Sequence, residues 1–481
     1  MNRRCFFLIL FCLHSFLGNS QTLVTGKVSD SSSGDPIPFV NIIITDLAKG
    51  TVSNLDGEFN FRLPENTTNE MRVVFSHIGY QSTQLTVEDL KKGFLQVKMT
   101  LDEYELDQAI VLDFDPKEIM KRAQENLINT QYGKPHEIEV FYRELIWVND
   151  TIQGLTRARG DLHSEGYNIL HSKRKNVSGN NFQYAAYNQI QKSEYGLLTN
   201  MYGKPRSELG NGSMIALIFR LWNFNLNWFD YELLGGRKLG DREVYVLSIR
   251  AKNNGVKSRA RNWGKEHYAL LQNAVLYIDQ KDYGVHMMEL SQGFPPEKRV
   301  TKYSRFEYML KGSEAVVKFR RDVEGNYFFT YANYTNRYRE YGYQTEKNPR
   351  EKDVREFAEL YALGYDLSVL SDEELRSKYH TSLSGEIPFR SLGYHVDWYN
   401  NLIFIAGKAR YNPEFWEGFD YPRYPGENEL ERQLSRNKPL SDQFAEFRNN
   451  QFYLHPILKK RNGLNEGYWA RTGLYPSRVG Y

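Results

Sequence analysis

The stretch from Gln21 to Leu112 constrains the fold more than any other part of the chain. Within it, Gly26-Lys27-Val28-Ser29-Asp30, Pro36-Ile37-Pro38-Phe39-Val40-Asn41-Ile42-Ile43-Ile44, Asn54-Leu55-Asp56-Gly57-Glu58-Phe59 and Phe75-Ser76-His77-Ile78-Gly79-Tyr80 are short β-branched and aromatic runs. Gly, Pro, Asp and Asn separate them. Such punctuation specifies a small antiparallel sandwich. Asp56-Gly57 is the sharpest turn signal, because glycine accepts a positive φ at no steric cost. Nothing in this stretch carries a catalytic pattern.

In order, these four motifs follow the pattern G-x-V-x-D, P-x-x-x-V-x-I, D-G-x-F and F-x-x-x-G-Y. Over residues 21–112 the chain resembles the carboxypeptidase regulatory-like domain, a transthyretin-like seven-stranded sandwich. The resemblance implies a non-catalytic envelope module of Gram-negative bacteria, found beside carboxypeptidase domains and before the plug of outer-membrane receptors.

At 481 residues the chain has room for two or three domains with sizeable cores. Its 62 basic and 59 acidic residues give a net charge of +3, so charge offers no argument for nucleic acid or an anionic membrane surface. Residues 1–20 read as a signal peptide, with Arg3 and Arg4 before the apolar Cys5–Leu17 run and small residues at Gly18-Asn19-Ser20. Cleavage is expected before Gln21. The apolar run is shorter than the ~20 residues of a spanning helix, which disfavours an uncleaved anchor. Phe11 precedes Cys12 where a lipoprotein would carry a small residue. Cys5 and Cys12, the two cysteines, lie in this leader, so the mature chain would have no disulfide, thiolate metal site or cysteine nucleophile. An exported protein, periplasmic or outer-membrane associated, is expected.

Residues 113–345 read as an antiparallel α+β domain. Asp115 can cap a helix with Pro116 at its first position, and Ile119, Ala123 and Leu127 fall on one face. Strand-like runs are expected at Val140–Tyr142 and Leu145–Val148, with a turn at Asn149-Asp150 and an answering strand Thr151–Leu162, and a second group at Glu243–Ile249, Ala274–Ile278, Val285–Leu290, Phe306–Leu310, Ala315–Phe319 and Tyr327–Tyr331 suits one large antiparallel sheet. Met214–Phe229 is rich in Met, Ile, Leu, Phe and Trp, too continuous to assign by period, and is read as a buried helix covering one face. From Asn348 the spacing of Val354, Phe357, Ala358 and Tyr361 predicts a helix, and Ser371-Asp372-Glu373-Glu374 opens another. Residues 346–457 are therefore expected to be helical and 458–481 an irregular tail.

Gly240-Asp241-Arg242-Glu243-Val244-Tyr245-Val246-Leu247, Ala274-Val275-Leu276-Tyr277-Ile278-Asp279 and Asp282-Tyr283-Gly284-Val285 resemble the repeated strands of the periplasmic lipoprotein-carrier half-barrel. That resemblance implies a curved sheet around an apolar cavity closed by helices, and no chemistry. Asn412-Pro413-Glu414-Phe415-Trp416 resembles a motif near the C-termini of envelope proteins that carry the regulatory-like domain.

Candidate chemistry is sparse. His286-x-x-Glu289 has the spacing of a zinc carboxypeptidase pair, with His395 downstream, but residues three apart in a strand point to opposite faces. Gly-x-Ser-x-Gly, His-Glu-x-x-His and calcium-loop patterns do not occur. Gly235-Gly236-Arg237-Lys238-Leu239-Gly240-Asp241 places Asp241 where a phosphate loop needs lysine, and reads as a turn. Tyr331, Tyr334, Tyr338, Tyr341 and Tyr343 could form a sugar-stacking platform, although tyrosine is also a common strand residue. Trp222, Phe224, Trp228 and Phe229 are candidate contacts for an apolar ligand, against a purely structural role in the core. No catalytic residue, cofactor or metal is assigned. The expected function is a non-enzymatic envelope module that binds or scaffolds a protein or surface glycan; the alternative is a carrier of a lipid or lipidated partner. An unrecognised hydrolase is the least favoured reading, and an outer-membrane receptor is set aside because the chain is too short for plug and barrel.

Overall fold

Seven strands are cut from the N-terminal stretch at the expected turns: β1 Leu23–Asp30, β2 Asn41–Ile44, β3 Lys49–Val52, β4 Glu58–Arg62, β5 Arg72–Ser76, β6 Thr83–Thr86 and β7 Leu95–Met99. The computed structural model describes residues 22–47, 49–102, 115–164, 183–194, 226–252, 273–293, 301–303, 306–343, 351–371, 373, 374, 378, 403–405 and 411–446. Strands β4-β1-β7 form one sheet and β3-β2-β5-β6 the other. Alternate residues enter the space between them, and Val28, Val40, Ile42, Ile44, Phe59 and Phe75 form the core. Gly57 turns the β3–β4 connection at φ 73°, where a Cβ would stand 2.3 Å from the Val28 carbonyl oxygen. A one-turn helix, α1 Val87–Leu90, is held by a capping box between Thr86 and Asp89.

Helix α2 is Pro116–Thr130. Asp115 accepts from the Lys117 amide at 2.9 Å, and Pro116 occupies the first turn, as the residue pattern requires. The predicted face, Ile119, Ala123 and Leu127, is buried together with Met120.

The rest of the fold is a 12-stranded sheet: β8 His136–Val148, β9 Thr151–Ser164, β10 Gln183–Glu194, β11 Phe229–Leu239, β12 Arg242–Ala251, β13 Asn273–Asp279, β14 Val285–Gly293, β15 Thr301–Tyr303, β16 Phe306–Arg321, β17 Tyr327–Tyr343, β18 Lys352–Asp366 and β19 Ile403–Ile405. Their order is β11-β12-β13-β14-β16-β17-β18-β8-β9-β10-β19, with β15 beside β16. Every pairing is antiparallel except the short β10–β19 contact. Asn149 and Asp150 close the β8–β9 hairpin with both φ angles positive, the primed turn that suits two residues between twisted strands.

Three expectations are corrected. Val354, Phe357, Ala358 and Tyr361 lie on strand β18, between β17 and β8, not on a helix. Their helix-like spacing arises because both faces of this strand are covered: Ala358 and Leu360 pack on one side, Phe357 and Tyr361 on the other. The sheet therefore runs to Asp366, past the expected boundary at 345/346. Among the described residues of the expected 346–457 helical region, the continuous helices are α3 Pro413–Gly418, α4 Glu427–Leu434 and α5 Leu440–Glu446. The runs Phe306–Leu310 and Ala315–Phe319 are one strand, continued through an irregularity between Leu310 and Gly312. Finally, Phe229 opens strand β11 and is not a helical residue, with Leu226–Trp228 a single 3-10 turn before it. The remainder of Met214–Phe229, the tail 458–481 and the leader lie outside the described residues.

Helix α2 packs on the inner face of the sheet, where its four buried residues join Val140, Tyr142, Phe229, Leu247, Leu276, Met288, Val317 and Leu360. The sandwich and the C-terminal helices pack on the outer face. No helix among the described residues is long and apolar enough to cross a membrane. Truncating Leu127, which is 1% exposed, to Ala should lower unfolding stability by about 2–5 kcal/mol, measured by urea denaturation of the purified protein. A loss below about 1 kcal/mol would show that α2 is not part of the cooperative core.

Candidate functional sites on the two faces of the sheet

On the inner face, the six adjacent strands from β11 to β17 span about 24 Å at ~4.8 Å spacing, and a 15-residue helix is about 22 Å long. One helix therefore reaches both the β11 end and the start of β17. Lys117 Nζ donates to Asn227 Oδ1 at 2.8 Å, beside β11, and Gln131 bridges to Tyr327. Along the rim, Arg122 donates to the Tyr283 hydroxyl at 2.8 Å and Asn126 to the Asp282 carbonyl at 3.4 Å. The contacts beneath α2 are apolar, and those at its exposed edge are polar and individually weak.

Phe229 is buried on this inner face, beside the partly buried Leu226, Tyr231 and Leu233. Trp222 and Phe224 lie outside the described residues, as does the side chain of Trp228. The far end of the inner face is polar: Tyr338 donates to Glu356 at 2.6 Å and Tyr142 to Glu144 at 3.3 Å. Neither carboxylate was singled out from the sequence, where each is one more glutamate in a strand-like run.

The outer face carries a buried charge cluster. Strand β8 places Arg143 between Phe141 and Leu145 on this side, and β9 places Arg157 beside it. Arg143 is fully buried and meets Glu359 of β18 at 2.8 Å. The hydroxyls of Tyr331 and Tyr361 also donate to Glu359, at 3.0 and 3.1 Å. Arg157 reaches Glu427, the first residue of α4, at 2.6 Å, and pairs with Glu431 one turn later. It also donates to Gln191 Oε1 at 2.9 Å. The Arg143 guanidinium additionally donates to the Pro422 carbonyl. Tyr421 lies under both guanidiniums, with centroid distances of 5.6 and 5.2 Å. Burial opposes ionisation of Glu427, but Arg143 and Arg157 together hold its carboxyl below the ordinary range.

The sandwich meets the same outer face nearby. Ile78 packs with Val244 and Met287, and Val52 with Tyr331 and Tyr361. The Gly79 amide, in a left-handed turn at φ 84°, donates to the Lys238 carbonyl at 2.8 Å. Phe39 stacks on Tyr331 at 4.6 Å. Asn54 donates to the Arg423 carbonyl at 2.7 Å and Arg62 pairs with Asp420 at 2.5 Å, which ties the sandwich to the C-terminal segment as well.

His286 and Glu289 do not converge. His286 lies 3.2 Å from Asp279 Oδ2 and 3.3 Å from the Tyr327 hydroxyl, while Glu289 accepts from Tyr277 at 3.2 Å. His395 is outside the described residues. The His286 cluster shapes the β13–β14 turn, where Arg242 spans Asp279 and Asp282, and Arg321 and Tyr327 also bind Asp282. Gly240-Asp241 turns the β11–β12 hairpin. Of the five tyrosines considered as a sugar platform, Tyr331, Tyr334 and Tyr338 are buried, Tyr341 is half-buried, and the side chain of Tyr343 is outside the described residues.

Residues 24–111 match the family described as the CarboxypepD_reg-like domain. The chain is 26% identical over 108 residues to TonB-dependent receptor P3 of Formosa agariphila, and 30% identical over 111 residues to TonB-dependent receptor P39 of the same organism. Each match covers 22% of this chain and 10% of the receptor, so the chain spans about a tenth of the length of these relatives. Among solved structures, a LolA superfamily protein from Nitrosomonas europaea aligns with 54% of this chain and 96% of its own, at 12% identity and a TM-score of 0.21. A putative outer membrane lipoprotein-sorting protein domain from Vibrio parahaemolyticus aligns with 55% and 98%, at 11% identity and a TM-score of 0.24.

Replacing Glu427 by Gln removes one charge from the buried cluster, and loss of a single buried partner costs about 3–5 kcal/mol. Limited proteolysis should then cut within residues 411–446 before the sheet unfolds. Because Glu427 titrates below its unfolded value, its contribution is present above the ordinary carboxylate range and lost as pH falls through the depressed value. Glu427→Gln should therefore flatten the acid limb of the stability profile; an unchanged limb and an uncut segment would remove the cluster from this role.

Proposed function

We propose that the protein is a non-catalytic binding protein of a Gram-negative envelope, whose inner sheet face holds the apolar part of its partner, a lipid or a lipidated protein. One observation carries the reading: the inner face is apolar from β11 to β9, and α2 packs on it through apolar contacts secured at the rim by exposed hydrogen bonds. An apolar ligand that displaces α2 has to replace the burial of Ile119, Met120, Ala123 and Leu127, so the reading calls for a ligand with apolar area comparable to that face. The outer face is already committed to the sandwich and the C-terminal segment. Trp222, Phe224, Trp228 and Phe229, which lead into the edge strand beside α2, are the proposed ligand contacts. The exported character of the sequence, the regulatory-like domain and the local similarity to TonB-dependent receptors support an envelope location, periplasmic or outer-membrane associated.

A scaffold reading is favoured by a different observation, the exposure of Phe94 at 63% and Leu101 at 50% at the ends of β7. It predicts a protein partner on the sandwich and no ligand under α2. Native mass spectrometry of the mature protein purified from a bacterial periplasm, followed by solvent extraction, separates the two. A stoichiometric lipid adduct that is lost on Phe229→Asp substitution supports the carrier. A clean apo mass, even after incubation with envelope lipid, overturns it and moves the search to protein partners of the sandwich.

A further inference from the structure

Lys318 is a buried charge whose hydrogen-bond partner is a backbone carbonyl and not a carboxylate. It lies on the outer face of β16, is 2% exposed, and faces Met287 of β14 and Tyr331 of β17 across the sheet. The sandwich sits directly over it. Among the described residues its hydrogen-bond partner is the Phe39 carbonyl, with the Phe39 ring 6.0 Å from Nζ. An ammonium carries three donors and is ordinarily buried only against a carboxylate. Phe39 itself adopts a φ of 60°, a left-handed conformation that is strained for a bulky side chain and aims its carbonyl at the lysine.

We propose that Lys318 is a pH-sensitive latch between the sandwich and the large sheet: neutral, it accepts burial under the sandwich; protonated, it drives the seam open.

The surrounding groups give the sign. Burial pulls Lys318 down to about 7, and the field of Glu289, on β14, raises it only in part. From the sandwich side His77 faces it, and burial with the Lys318 charge holds that imidazole down to about 3, so it stays neutral throughout the relevant range. The hydroxyl of Tyr331 is engaged with Glu359 and gives Lys318 no partner. In an undocked sandwich Lys318 would be solvated and titrate near its ordinary value of about 10.4. The docked state therefore binds fewer protons below that value, and docking strengthens as pH rises from about 6 to 8. With a docked value of about 7, linkage gives roughly a tenfold change in the docking equilibrium between those pH values.

Gly79 supplies the probe, because its amide donates across the seam to Lys238, whereas the Val28 amide donates to Gly57 inside the sandwich. Hydrogen exchange of both amides in the full mature chain, corrected for the intrinsic pH dependence of exchange, should show Gly79 protection falling about tenfold from pH 8 to pH 6 while Val28 protection holds. Lys318→Met, which fills a similar volume without charge, should abolish the fall. Glu289→Gln, at an exposed position, should keep it but move its midpoint to lower pH. Gly79 protection that is equal at both pH values in the wild-type chain overturns the latch. So does a fall that persists unchanged in Lys318→Met. The wild-type comparison and Glu289→Gln stand on their own if Lys318→Met does not fold.

Discussion

Two buried guanidiniums decide how this molecule is put together. Arg143 and Arg157 project from the middle of the sheet into a space without solvent, and they remain tolerable there because Glu359 answers from the neighbouring strand and Glu427 from the C-terminal segment. Leaving such a charge without its partner costs about 3–5 kcal/mol, against about 1 kcal/mol for an ordinary hydrogen bond. The segment carrying Glu427 is consequently held more firmly than its short helices, of eight and seven residues, could achieve from apolar burial alone. Tyr421, Trp416 and Leu434 complete the contact by covering the aromatic surface around the charges.

With the outer face occupied in this way, the inner face is left for α2. The long antiparallel strands make that division possible, because each presents one residue set to the helix and the other to the sandwich and C-terminal segment. Strand β8 carries both sets at full burial, with Val140 and Tyr142 inward and Phe141, Leu145 and Trp147 outward. A single helix meets both the edge and the centre of the sheet because the strands from β11 to β17 are together about as wide as α2 is long, and the irregular registers in β11, β14 and β16–β18 are where antiparallel strands can bend.

How much of this is legible in the sequence follows from the range of the interactions. The sandwich and α2 are readable because their signals are local: Asp-Gly turns, alternation, an Asp-Pro cap followed by an apolar stripe. Strand β18 is not, since burial on both faces removes the alternation, and the surviving pattern at Val354, Phe357, Ala358 and Tyr361 copies a helix. Arg143 and Lys318 are unreadable for a related reason. In a strand-like run each looks like an ordinary solvent-facing charge, and what buries it arrives from a remote part of the chain: Glu427 for one, Phe39 for the other. The zinc spacing of His286 and Glu289 dissolves by the simplest rule of strand geometry, and Tyr331, Tyr334 and Tyr338 of β17 become core residues once the sheet has two covered faces.

The contacts also set an order of attachment. The C-terminal segment is joined to the sheet by charges that must be paired, whereas the sandwich rests partly on the sheet, through Ile78, Phe39 and Gly79, and partly on that segment, through Arg62 to Asp420 and Asn54 to the Arg423 carbonyl. The seam beneath the sandwich includes a lysine buried against a backbone carbonyl and a phenylalanine in a strained backbone conformation. A module meant only to add stability would be better served by an apolar residue at position 318, which would remove the desolvation cost. The N-terminal sandwich is thus seated partly on a segment held by paired charges and partly on a floor that contains an uncompensated desolvation cost, so its two supports differ in kind.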